Sequence, residues 1–196
     1  IKFLAKKKLK INVLINNAAA NPKLNKKNNT NTFDKFLLKN WNFELNIGLT
    51  GAFLCSKIIG KKMLENKKGV IINISSDLGI ISPDHRIYKA DKSIGYKGVN
   101  FNTPLSYSVS KSGILAFTRF LATYWAEHGI RVNSISPSGV YNKQDPKFVD
   151  QYSKKVPLGR MANAPEIAST ALFLVSDAAS YITGANIIVD GGWSAI

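Results

Sequence analysis

Tyr107-Ser108-Val109-Ser110-Lys111 stands just past Pro104 and opens an apolar-periodic run from Ser106 to Glu127. That repeat predicts a helix, with Gly129 as the signal that ends it. On either side lie two short β-branched runs, Val70-Ile71-Ile72-Asn73-Ile74 and Ile130-Arg131-Val132-Asn133-Ser134-Ile135, which read as buried strands. A helix set between two such strands is a βαβ unit, and it makes the sheet parallel. Further out the alternation continues. Lys10-Ile11-Asn12-Val13-Leu14-Ile15 reads as a strand, and Trp41, Leu45, Leu49, Ala52, Phe53, Ile59 and Met63 recur at helical spacing. Ala164 to Leu174 reads as a helix with Pro165-Glu166 at its start, and Ile187-Ile188-Val189 as a last strand. The fold class is therefore α/β, a doubly wound parallel sheet of the Rossmann type.

Chemistry gathers where the strands end. In open α/β sheets ligands sit beyond the carboxyl ends of the strands. Those ends carry Asn16-Asn17-Ala18-Ala19, Ser75-Ser76 with Gly79, Ser136-Pro137-Ser138-Gly139, and Asp190-Gly191-Gly192. Asn16 and the serine hydroxyls are expected to face one crevice. Residues four apart on a helix share a face, so Tyr107 and Lys111 project to the same side. A phenol with a pKa of about 10 is a poor proton-transfer group at neutral pH, and a cation beside it favours the phenolate. Asn46 interrupts the helix at 41–66 beside its buried stripe. Gly48 and Gly51 nearby predict a loosened, closely packed turn there.

Composition narrows the class. The chain has 196 residues, 45% of them hydrophobic, which suits one α/β domain with a real core. No apolar run approaches the length of a membrane span. The single cysteine, Cys55, falls on a helical apolar stripe and reads as a reduced core thiol in a cytoplasmic protein. His85 and His128 stand far apart, so no metal site is expected. The net charge of +15 raises nucleic acid as a partner. Its lysines, however, fall in short clusters at element ends and in loops, without an arginine-rich or aromatic-interleaved stripe. A basic non-catalytic binding protein on this scaffold is the rival reading from another class. Residues 80–105 read as an ordered insertion, and residues 140–160 as a polar, mobile segment over the crevice.

In sequence order, Asn16-Asn17-Ala18, Asn46 with Gly51 and Phe53, Ile74-Ser75-Ser76, Tyr107 with Lys111, Arg131-Val132-Asn133, Pro137 and Asp190-Gly191-Gly192 resemble the short-chain dehydrogenase/reductase family along essentially the whole chain. The resemblance implies a catalytic set of Asn46, Ser76, Tyr107 and Lys111. Ser76 is chosen over Ser75 because the family's serine precedes a glycine by three, here Gly79. It implies that Tyr107 passes a proton to or from the substrate oxygen, that Ser76 bonds that oxygen, and that Lys111 lowers the tyrosine pKa and holds the nicotinamide ribose. Asn46 would position a relay water. NAD or NADP would be held by Asn17, Ala18, Ala19, Tyr107, Lys111, Pro137, Ser138 and Val140, and the substrate by Ser76, Asp77 and Tyr107.

The expected activity is hydride transfer between a nicotinamide cofactor and an alcohol or ketone, with a sugar or sugar derivative as substrate. The 80–105 insertion carries His85, Arg86 and Tyr88, polar groups that lean toward a sugar. Within the family, Ser76-Asp77-Leu78-Gly79-Ile80-Ile81-Ser82-Pro83-Asp84 and the later Gly139-Val140-Tyr141-Asn142 are similar to oxidoreductases of bacterial surface-sugar and flagellin-glycan pathways. The competing substrate is a 3-oxoacyl thioester on acyl carrier protein. Apolar helices at 41–66 and 106–128 imply a homo-oligomer, a dimer or tetramer. Three departures from the family pattern stand out: Ala19 and Ser138 replace glycines, and no glycine-rich phosphate loop is present. The chain opens on Ile1, and 1–10 reads as the last turns of a helix. The expectation is a single partial domain over 1–196 whose N-terminal βαβαβ half is missing, and which is not by itself a competent dehydrogenase.

Overall fold

The computed structural model describes residues 10–20, 33–85 and 103–196. Four parallel strands lie in the order β1 (Val13–Asn16), β2 (Gly69–Ile74), β3 (Ile130–Pro137), β4 (Asn186–Val189). The register pairs Ile15 with Ile72, Ile72 with Asn133, and Ile135 with Ile187. Between β1 and β2 run α1 (Leu38–Leu45), a π-helical turn (Asn46–Thr50) and α2 (Gly51–Asn66). The helix α3 (Leu105–Tyr124) joins β2 to β3, and α4 (Pro146–Ser153) and α5 (Ala164–Val175) join β3 to β4.

Both faces of the sheet are covered, which is why β2 and β3 are apolar on both sides. On one face Met63 of α2, Leu121 and Ala122 of α3, and Trp125 just past its end pack against Ile71, Ile130 and Val132. On the other, Leu174 of α5 packs with Ala179 against Ile72 and Ile135. The β3-to-β4 connection thus crosses the face opposite to that of α3, although both connections step the same way across the sheet. A polar seam runs through the first face. Asn16 Nδ2 donates to Asn73 Oδ1 at 2.8 Å and to Ser56 Oγ at 3.1 Å, and Asn73 Nδ2 donates to Thr118 Oγ1 at 2.9 Å. Asn16 therefore faces the helices and not the crevice. Its short amide finds two partners directly under β1.

Three other expectations change. Cys55 is exposed rather than buried. The helix α2 is apolar almost all round: Ala52, Ser56, Gly60 and Met63 take the core side, leaving Phe53, Leu54, Cys55 and Ile58 outward. Gly60 is what lets α2 sit close, since a Cβ there would stand 2.4 Å from the Trp125 ring. The segment 140–160 is not merely a polar strap. Asp145 caps α4 by accepting from the Lys147 N–H, and Tyr152, Val156 and Met161 form a small core of their own. The α3 helix ends at Tyr124, a 3-10 turn (Ala126–His128) follows, and Gly129 at φ 71 supplies the left-handed residue that leads into β3.

Of the insertion, residues 80–85 and 103–105 are described, while Arg86 and Tyr88 lie outside the described residues. Among the described residues no helix is long and apolar enough to cross a membrane, and no cluster of metal-ligating side chains forms.

Candidate active site

The carboxyl end of β2 and the first turns of α3 are fastened together by backbone contacts. Ser75 Oγ donates to the Lys111 carbonyl at 2.8 Å, and both serine and lysine are buried. Gly79 makes that approach possible: a Cβ there would lie 2.7 Å from Ser75 Oγ and 2.9 Å from the Lys111 carbonyl oxygen. The two adjacent serines divide their work. Ser75 anchors the helix, whereas the Ser76 hydroxyl lies within hydrogen-bonding reach of the Tyr107 phenol.

Lys111 is 5% exposed, and its Nζ donates to the Ile74 carbonyl at 2.8 Å. The ammonium lies 5.5 Å from the centre of the Tyr107 ring. Removal from water lowers its pKa to about 8. The phenol moves in the direction opposite to that expected. Burial raises the Tyr107 pKa, the bond to Ser76 offsets part of the rise, and the charge of Asp77 adds to it. Lys111 spends its nearest hydrogen bond on the strand carbonyl, so it does not hold Tyr107 below its ordinary value.

Asp77 follows Ser76 and is 6% exposed. Its Oδ1 accepts from Ser76 Oγ and from the Leu78 N–H, each at 2.7 Å. Burial raises its pKa, those hydrogen bonds oppose the rise, and the Asp190 charge adds to it. Sequence reasoning did not link Asp190 to this group. Asp190 closes the turn after β4, accepting from the Gly192 N–H, the Ser194 N–H and Ser194 Oγ at 2.9, 2.8 and 2.6 Å. The only hint was its position at a strand's carboxyl end, before two glycines with φ of 65 and 92.

Asn46 begins the π-helical turn, as the nearby glycines suggested. It is exposed, and its Oδ1 accepts from Thr50 Oγ1 at 3.4 Å. It bonds to none of Ser76, Tyr107 or Lys111. The turn itself presses on α3, because a Cβ on Gly48 would stand 2.3 Å from Ser110 Oγ. Insertions of this kind recur at functional sites. One turn earlier, buried Glu44 accepts a short hydrogen bond from the Ser106 hydroxyl, the residue before Tyr107. The sequence offered no signal for that pair.

Asn17, Ala18 and Ala19 form an exposed stretch past β1. Pro137 ends β3, the Ser138 N–H donates to the Val189 carbonyl at 3.1 Å, and Val140 bridges to Ala162. All follow carboxyl ends of strands, along the same edge of the sheet as Ser76. Beside α3, a cavity of about 800 Å³ is lined by Phe36, Leu78, Ile81, His85, Pro104 and Ser108, among others. Ser76, Asp77, Tyr107 and Lys111 do not line that cavity, although their neighbours Leu78 and Ser108 do. The four gather where β2 ends and α3 begins as a hydroxyl, a carboxylate, a phenol and a buried ammonium, a set suited to moving a proton at a substrate oxygen.

Known proteins resemble the chain throughout. Residues 1–96 match the short chain dehydrogenase family, and residues 92–194 match the enoyl-(acyl carrier protein) reductase family. D-threitol dehydrogenase of Mycolicibacterium smegmatis is 34% identical over 82% of this chain and 57% of its own length. NAD-dependent glycerol dehydrogenase of Listeria innocua is 35% identical over 79% of this chain and 56% of its own length. The chain thus spans less than three fifths of these two relatives. 3-oxoacyl-[acyl-carrier-protein] reductase FabG of Buchnera aphidicola is 34% identical, over 98% of this chain and 70% of the relative. The crystal structure of a short chain dehydrogenase from Leptospira borgpetersenii with bound NAD+ superposes with a TM-score of 0.82, at 33% identity over 98% of this chain and 68% of that one.

Proposed function

We propose, because the chain belongs to the short-chain dehydrogenase family, that its protein is an NAD- or NADP-dependent oxidoreductase interconverting an alcohol and a ketone on a sugar or polyol. The observation that carries this reading is the meeting of Ser76, Tyr107 and Lys111 where β2 ends and α3 begins. The donor chemistry suits the nicotinamide and ribose end of a dinucleotide. Lys111 has three N–H bonds, and one goes to the Ile74 carbonyl, so the others are left for ribose hydroxyls. Asn17, Ala18, Ala19, Pro137, Ser138 and Val140 follow strand ends along the same edge and would line the rest of that end. Among the described residues none offers a glycine-rich helix start for the pyrophosphate.

When bound, the nicotinamide supplies hydride chemistry. The chain's own residues handle the proton and the geometry. Ser76 holds the substrate oxygen, and Tyr107 takes its proton during oxidation or returns it during reduction. A phenol raised by burial is a strong base once ionised, and a cationic Lys111 turned from Ile74 toward it would favour that form. Asn46, on its π turn, is assigned the water that relays protons outward.

Turnover should be followed by nicotinamide absorbance in the full-length protein. Alditols and an acetoacetyl thioester are the substrates, each tried with both dinucleotides. Activity on neither substrate class would overturn the proposal. A thioester preference would favour the reductase reading that the Buchnera relative supports. Homo-oligomerisation belongs to the same proposal: Phe53, Leu54 and Ile58 on α2 and Val109, Phe120 and Tyr124 on α3 are 39 to 66% exposed, apolar surface that a second copy would cover. Light scattering tests it. A cytoplasmic setting agrees with the exposed, unpaired Cys55.

A further inference from the structure

Asp77, which the family resemblance sets beside the substrate, has no part in the proton chemistry above. Asp77 is buried, yet only half of its carboxylate is occupied. Oδ1 accepts from Ser76 Oγ and the Leu78 N–H, whereas Oδ2 accepts from no described residue. The contrast with Asp190 is sharp, since both of its oxygens are filled from its own turn. No lysine or arginine among the described residues pairs with Asp77, and Lys111 directs its ammonium at the Ile74 carbonyl instead. Asp77 is 6% exposed, and Oδ2 is not among the buried atoms left without a partner, so the remaining exposure includes an oxygen that an incoming donor can reach. The position is equally specific. Asp77 shares the Ser76 hydroxyl, the group assigned to the reacting oxygen, and its charge acts on Tyr107.

We propose that Asp77 is a specificity-determining residue whose free Oδ2 accepts a hydrogen bond from a hydroxyl on the carbon next to the reacting carbinol. The substrate class is then a vicinal polyol, such as an alditol or an open or cyclic sugar. A 3-oxoacyl thioester carries no hydroxyl on the carbons next to the reacting one, and its nearest other oxygen, the thioester carbonyl, is an acceptor that offers Asp77 no hydrogen. The inference rests on the oxidoreductase reading above and narrows it.

Asp77→Asn is the informative variant, because it keeps an acceptor for Ser76 while removing the charge. In the full-length enzyme with saturating dinucleotide, the substitution should raise KM for D-threitol roughly tenfold to hundredfold, the size of one hydrogen bond to a charged group. The expectation leaves kcat within about threefold and the unfolding midpoint no lower than in the wild type. An equal fall in kcat would overturn the proposal, because Asp77 would then be positioning Ser76. An unmoved KM would overturn it too. If the wild type reduces acetoacetyl thioester but oxidises none of D-threitol, glycerol and galactitol, this inference fails and the oxidoreductase reading stands. If it turns over none of these, the activity itself is misassigned and the inference falls with it.

Discussion

Two carboxylates are buried within one turn of the start of α3, and they behave differently. Glu44 reaches across from α1 and is met by the Ser106 hydroxyl. Asp77 lies at the end of β2 and shares its hydrogen bonds between Ser76 and the Leu78 N–H, with one oxygen left over. Burial raises the pKa of both. Burial and a shifted pKa therefore do not separate a structural carboxylate from a working one. What separates them is whether the protein fills their hydrogen-bonding capacity, and whether the neighbour is a proton-transfer group or only a helix to be held.

The comparison breaks most visibly at Tyr107. Tyr107→Phe in the full-length enzyme should lower kcat by about 10²–10⁴-fold while leaving dinucleotide affinity and unfolding nearly intact, as loss of a proton-transfer group does. Retained turnover would remove the junction of β2 and α3 from consideration as an active site. Lys111 comes next. Its folded pKa of about 8 lies below its ordinary 10.5. The folded state therefore binds fewer protons than the unfolded one across that window, and stability rises as pH climbs through it. Lys111→Met should abolish that rise and relieve about 1–3 kcal/mol at neutral pH, while activity falls. Denaturant unfolding of both proteins at pH 7 and pH 10 reads this directly, and parallel curves would contradict it.

At Glu44 the effects are on stability. Glu44→Ala leaves the buried Ser106 hydroxyl unpaired and should cost about 1–3 kcal/mol. Glu44→Gln should cost less and carry a clearer signature. A carboxyl whose folded pKa is raised stabilises the fold below its unfolded value of 4.5 and loses that contribution as pH rises toward the folded value. The Gln variant should show a flatter melting temperature against pH above 4.5 than the wild type. Identical slopes would mean that burial does not raise the Glu44 pKa.

Much of this was legible in the chain. Strand and helix periods gave the parallel sheet, and the family resemblance implied the grouping of Ser76 with Tyr107 and Lys111. Gly48 and Gly51 betrayed the loosened turn at Asn46. The misses share a cause: they depend on what lies across a contact. Cys55 sits in the first half of α2, where Phe53, Leu54 and Ile58 make the outward side apolar as well, so periodicity could not say which side is covered. The Tyr107 pKa depends on Asp77 and on burial, and neither follows from a Tyr–Lys spacing. Asn16 was assigned to the crevice because strand ends usually face it, but Asn73 and Ser56 claimed its amide first. The order in 140–160 comes from Tyr152, Val156 and Met161 meeting Trp193, far away in sequence.

The amide seam under β1 also bears on how the sheet assembles. Strands made of valine and isoleucine can slide past one another at little cost, because each neighbour looks alike. A slip of β1 by one residue would turn Asn16 to the opposite face of the sheet, away from Asn73 and Ser56, and strip the buried Asn73 side-chain carbonyl oxygen of its donor. Each orphaned polar group costs about 1–3 kcal/mol, a large share of the whole stability of a small domain. The seam works as a key cut for one alignment: β1 docks in the correct register or it does not stay docked.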